Sequence, residues 1–104
     1  MSEDHNRSRD TLVAGDPLEE CRRHIDRVDA TIVALLRERA RLAIDAGRIK
    51  LEAGQPIDAP DREQAICERV RHLATAPLDP EAAERIFRRI IDEVRAIEVE
   101  EVRR

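Results

Sequence analysis

The chain has almost no aromatic residues: one Phe, no Tyr and no Trp among 104 residues. Nothing is available to stack on nucleic-acid bases, and the net charge of −4 argues further against a nucleic-acid partner. No apolar run approaches the length needed to cross a bilayer, and the opening MSEDHNRSRDTLVAGD is polar rather than a basic stretch followed by an apolar one. A cytoplasmic protein without a membrane partner is expected. The two cysteines, Cys21 and Cys67, stand apart beside apolar residues and read as buried thiols, not as a disulfide or metal pair. His5, His24 and His72 are scattered without ligand spacing, so no metal site is indicated.

What the chain does contain is charge and small aliphatics. Charged residues make up 40 % of it, and Ala, Leu, Ile, Glu and Arg recur at helical spacing with no competing strand pattern. An all-α domain over 16–104 is expected, preceded by a flexible N-terminal tail over 1–15 of low hydrophobicity. Asp16 and Pro17 supply a cap and a first-turn proline for helix one, which runs to Gly54 and Pro56. Pro60 opens helix two, with Ile66, Val70 and Leu73 as its buried face. Asp79 and Pro80 repeat the cap signal for helix three, whose apolar positions include Ile86, Phe87, Ile90, Ile91, Val94 and Ile97.

Stepping by three and four from Leu18 through Cys21, Ile25, Val28, Ile32, Leu35, Arg39, Leu42, Ala46, Ile49 and Ala53 traces a heptad-type seam with one polar member, Arg39. A helix of that length measures about 54 Å at 1.5 Å per residue, against a radius of gyration of about 13 Å for a compact domain of this size. The surplus apolar seam calls for a partner, and a second copy is the simplest one, giving an intertwined helical homodimer.

A guanidinium inside an apolar seam needs an anion opposite it. Lys50, eleven residues on, points about the same way as Arg39 and lies about 16 Å along the axis. Arg62 shares a face with Ile66 and has Glu63 beside it, and Glu98 follows Val94 at the edge of the third apolar stripe. Arg22 lies about 25 Å down the first helix from Arg39 and about 100° around it, so it reaches such a site only from a second copy. Each charge taken alone also fits a solvated surface residue, and Arg39 also fits a structural ion pair. A noncatalytic helical dimerisation module is the corresponding reading of the whole chain.

The stretches CRRHIDRVDATIVALLRERARLAIDAGRIK, PIDAPDRE and LDPEAAERIFRRIIDEV, with the spacing of Arg22, Asp29, Arg39, Gly47, Lys50 and Arg62-Glu63, resemble the all-helical chorismate mutases. The resemblance runs from about Leu18 to Glu98. It implies a three-helix chain whose dimer shares the long first helix, and conversion of chorismate to prephenate without a cofactor. A place in the shikimate pathway and aromatic amino acid biosynthesis goes with it.

By the same resemblance, Arg22 is the arginine lent to the other subunit, and Arg39 and Lys50 bind carboxylate, Lys50 also facing the ether oxygen. Arg62 lines the site, Glu63 holds the ring hydroxyl, and Glu98 faces the ether oxygen where many members have glutamine. A carboxyl must carry a proton to donate there, so activity is expected to rise toward acidic pH. Two departures stand out: Ala59 replaces an aspartate that many mutases carry, and Val94 replaces a serine found in some. The APDR segment resembles isochorismate pyruvate-lyases, and Glu98 also occurs at the matching place in 4-amino-4-deoxychorismate mutases. Those two activities are the alternatives to chorismate mutase.

Overall fold

The computed structural model describes residues 15–104, so the expected tail falls, but for Gly15, outside the described residues. Three helices follow one another: α1 Pro17–Glu52, α2 Pro60–Leu73 and α3 Pro80–Val102. Among the described residues there is no strand. No helix among them is long and apolar enough to cross a membrane. Residues up to Leu36 make one unit and Arg37–Arg104 a second.

The helix ends sit where local chemistry sets them. Asp16 Oδ1 accepts from the Leu18 amide at 3.1 Å, and Asp79 Oδ1 from the Ala82 amide at 2.7 Å, each satisfying an orphan donor of a first turn. Pro60 sits in the first turn of α2, although its cap residue, Ala59, offers no side-chain acceptor. Gly54 ends α1 at φ +70°, donating its amide to the Leu51 carbonyl at 3.1 Å. The left-handed conformation there is one that glycine adopts without a Cβ penalty.

In the amino-terminal unit, the described part of α1 buries none of its side chains. Leu18, Ile25, Val28, Ile32 and Leu35 are all exposed. Cys21, expected to be buried on the seam, is exposed as well, because among the described residues of the amino-terminal unit nothing covers that stretch of helix.

In the second unit, α2 and α3 pack through Ile66, Cys67, Val70 and Ile91, with Phe87 against them. Arg71 ties the pair together by reaching Glu84 at 3.0 Å and Glu81 at 3.4 Å. Leu73, expected on the buried face, is 70 % exposed; it is the last residue of α2. Ile86 and Ile97 are exposed too.

The carboxyl-terminal part of α1 meets α3 at Gly47, a buried residue. A Cβ there would stand 2.6 Å from Glu98 Oε2, 2.8 Å from Glu98 Cγ and 3.0 Å from Val102 Cγ2. Glycine inside a helix costs about 1 kcal/mol relative to alanine, and here the missing side chain is the space that Glu98 occupies. Gly47→Ala is therefore expected to lower the melting temperature although alanine is the better helix former, because overpacking costs about 1–3 kcal/mol. Thermal unfolding followed by circular dichroism checks this, and the loss should shrink in a Glu98→Ala background, where the main obstacle is gone.

Candidate active site

Between the carboxyl-terminal part of α1, the connection after it, and α2 and α3 lies an open cleft of about 320 Å³. That is at the lower end of the range for small-molecule sites, about 300–1,000 Å³. One stripe of α1 lines it with Arg39, Leu42, Ala43, Ala46 and Lys50. The connection adds Ile57 and Ala59; α2 adds Arg62, Glu63, Ile66 and Arg69; α3 adds Ile91, Val94, Arg95 and Glu98.

Five of the six residues expected at a site thus meet in one cleft: Arg39, Lys50, Arg62, Glu63 and Glu98. The sixth, Arg22, belongs to the amino-terminal unit, where it is exposed and lies 3.6 Å from Glu19. Two cations had escaped the sequence reading, Arg69 and Arg95. Both were within reach of the argument applied to Arg39, since Arg69 follows Arg62 by seven residues and Arg95 precedes Glu98 by three, each on the same helical face.

The polar groups fall into two paired sets and one unpaired set. Glu98 is only 6 % exposed, far from the solvated position a lone glutamate would take, and its Oε2 lies 3.4 Å from Lys50 Nζ. The same ammonium donates to the Ile57 carbonyl at 3.1 Å, so it is fixed by the connection and by α3 together. Glu63 pairs with Arg95 Nη2, and Arg95 Nε lies 3.3 Å from Asp58 Oδ1.

The third set is Arg39, Arg62 and Arg69. Among the described residues none of them has a carboxylate partner; the ion pairs in the cleft are those of Lys50 and Arg95. Arg39 holds its proton less firmly than a free arginine, first because burial penalises the charge and then because the guanidiniums of Arg62 and Arg69 repel it. Arginine nonetheless stays charged near neutral pH. The cleft therefore presents cationic forks with unused donors, an arrangement that binds carboxylate or phosphate oxygens in pairs. Among the described residues no Ser, Thr or Cys lines it, so no hydroxyl or thiol nucleophile is offered.

Comparison with known proteins adds to this geometry. The sequence model of the family described as chorismate mutase type II matches residues 21–99. The chain is 36 % identical over 84 residues to a chorismate mutase of Methanocaldococcus jannaschii, an alignment covering 80 % of this chain and 85 % of that protein. It is 39 % identical over 87 residues to a bifunctional chorismate mutase/prephenate dehydratase of Aquifex aeolicus, covering 80 % of this chain and only 24 % of the relative. The chain thus spans about a quarter of the length of that bifunctional protein. The solved structure of a chorismate mutase (form II) from Thermus thermophilus superposes with a TM-score of 0.78 at 29 % identity, covering 80 % of this chain and 94 % of that one.

The unpaired forks make a prediction that needs no turnover. A small dicarboxylate such as malate, at ten times its dissociation constant, should stabilise the protein by about 1.4 kcal/mol, a rise in melting temperature of about 5–10 °C for a domain this small. Thermal scans with malate and with sodium chloride at matched ionic strength check it: malate alone should act, and Arg39→Ala should remove its effect.

Proposed function

Because this chain belongs to the chorismate mutase type II family, we propose that it rearranges chorismate to prephenate, a step of aromatic amino acid biosynthesis. The observation that carries the reading is the unpaired set of Arg39, Arg62 and Arg69 beside Lys50 in a single cleft. Chorismate carries two carboxylates and one hydroxyl. Its rearrangement breaks the carbon–oxygen bond of the ether and forms a carbon–carbon bond within the same molecule, with no group transferred to the protein.

For such a reaction the protein has two tasks. It must hold the enolpyruvyl arm over the ring, which converts lost freedom into rate, and it must stabilise the negative charge that grows on the ether oxygen. Arg39 and Arg62 bind the carboxylates as forks and hold the arm. Lys50 places its ammonium at the ether oxygen, and Glu98 stands beside it to donate a hydrogen bond from a carboxyl O–H to the same atom. Glu63 is the acceptor for the ring hydroxyl, the substrate's only donor.

The site is completed by a second copy of the chain, whose Arg22 supplies a further fork. The exposed apolar residues of α1, from Leu18 and Ile25 to Leu42 and Ile49, support a homodimer of this kind.

Incubation with chorismate tests the reading directly. Prephenate is the expected product, and salicylate with pyruvate formed from isochorismate would replace the mutase by a lyase. No turnover of any such substrate by an intact dimer would leave a noncatalytic dimerisation module.

Arg39→Ala should lower kcat/KM at least a hundredfold, the scale of losing one donor to developing charge, while sedimentation should give the same oligomeric state as wild type. Glu98→Ala, which removes the group beside the ether oxygen, should lower kcat, whereas Glu98→Gln, which donates there, should keep activity; equal rates for the two variants would remove Glu98 from the mechanism. Sharing of Arg22 has its own check. Arg22→Ala and Arg39→Ala chains, each inactive alone, should regain activity when co-expressed, since a mixed dimer then holds one complete site.

A further inference from the structure

Arg95 uses each of its three nitrogens on a different carboxylate. Nε lies 3.3 Å from Asp58 Oδ1, Nη1 lies 3.6 Å from Asp92 Oδ1, and Nη2 pairs with Glu63 Oε2. Asp58 and Asp92 are exposed, so those contacts are screened and serve mainly to aim the guanidinium. The pair with Glu63 is more sheltered, at 30 % and 29 % side-chain exposure, and both of its members line the cleft. The neighbouring wall position is Ala59, which brings no carboxylate of its own.

We infer that Arg95 sets substrate specificity at the end of the cleft that receives the ring substituent: by neutralising Glu63 it favours a hydroxyl there and disfavours an ammonium. The inference rests on the mutase reading above and on Glu63 as the acceptor for that substituent. Arg95 contacts Glu63 through Oε2, and because a carboxylate has two oxygens with about four acceptor sites, Oε1 is the atom offered to a substrate donor. A neutral hydroxyl donates one hydrogen to Oε1 at no electrostatic cost. An ammonium in the same place, as in the 4-amino-4-deoxy analogue of chorismate, finds a carboxylate whose charge Arg95 already balances, and meets the guanidinium as a like charge. The two other acidic groups facing Arg95, Asp58 and Asp92, are held by it rather than by the cleft. Arg95 acts through Glu63 and through its own field, and so is a positioning residue rather than a catalytic one.

The measurement is the ratio of kcat/KM for chorismate to that for 4-amino-4-deoxychorismate, taken at about pH 6.5 where an aliphatic amine carries its proton. Wild type should favour chorismate. Arg95→Gln, which leaves Glu63 uncompensated, should lower the ratio at least tenfold. Arg95→Lys, which keeps the charge, should hold it within about threefold of wild type. Glu63→Gln, which leaves Arg95 uncompensated, should raise the ratio even as both rates fall.

An arginine with a merely structural role would lower both rates together, and an unchanged ratio in Arg95→Gln overturns the inference. A wild-type preference for the amino substrate overturns it as well. Should Arg95→Gln not fold, an unchanged ratio in Glu63→Gln has the same force. Failure of wild type to convert chorismate is a separate result, seen in the first measurement, and it removes the mutase reading together with this one.

Discussion

A glutamate carboxylate pressed against bare glycine backbone joins the carboxyl-terminal part of α1 to α3. Glu98 sits where a Gly47 side chain would be, and it is buried with Lys50 as its counter-ion. A buried carboxylate is costly unless it is paired and hydrogen-bonded, so the contact holds only if Lys50 is in place one turn along α1. Lys50 is held in turn by the Ile57 carbonyl of the connection. By contrast, α2 and α3 meet through an ordinary apolar cluster of Ile66, Cys67, Val70 and Ile91. The joint between α1 and that pair is therefore polar, and it lies in the wall of the cleft. The atoms that assemble this part of the fold are the ones offered to a ligand.

The charges in the cleft divide the work of recognition. Lys50 with Glu98 and Arg95 with Glu63 are internally balanced, whereas Arg39, Arg62 and Arg69 are left facing one another. Three like charges without a counter-ion oppose folding, and such local conflict is expected where binding rather than stability has shaped a sequence. Exposure of Arg62 and Arg69 keeps the conflict tolerable, since water screens them. Arg39 is the more buried of the three and its environment disfavours its charge, so an incoming carboxylate relieves it. In this division the anionic part of a ligand goes to the unpaired forks, and a hydrogen-bond donor goes to the balanced carboxylate of Glu63.

Most of the architecture was legible because its signals are local. The pairs Asp16-Pro17 and Asp79-Pro80, together with Pro60 and Gly54, mark helix ends through backbone donors, fixed φ and a left-handed cap, none of which depends on distant residues. Arg39 and Arg62 were found because a polar residue on an apolar stripe stands out, Lys50 because it points the same way as Arg39, Glu63 because it stands beside Arg62 and Glu98 because it lies at the edge of such a stripe; their roles came from the family resemblance. Arg69 and Arg95 were overlooked although their spacing to Arg62 and Glu98 puts them on the same faces, because each is one arginine among many and interrupts no apolar stripe. The exposure of Cys21, Leu73, Ile86 and Ile97 was equally hidden. Periodicity says which residues share a stripe, not whether this chain or another covers it.

The first helix shows that limit in its geometry. The heptad seam passes through Leu35, Arg39, Leu42, Ala46 and Ile49, a mean step of three and a half residues. A straight α-helix turns every 3.6 residues, so a strict heptad stripe drifts about 20° per repeat. The cleft takes Arg39, Leu42, Ala43, Ala46 and Lys50, of which Arg39, Ala43, Ala46 and Lys50 follow the longer period. Seam and cleft share Arg39, Leu42 and Ala46 and then part by one residue, which places Lys50 in the cleft and leaves Ile49 66 % exposed. One helix can thus present cations to a ligand on the 3.6-residue stripe while keeping an apolar heptad edge for the homodimer we propose. Arg39, lying on both stripes, stands where the ligand site and that apolar edge meet, so its charge belongs to the cleft although its spacing belongs to the seam.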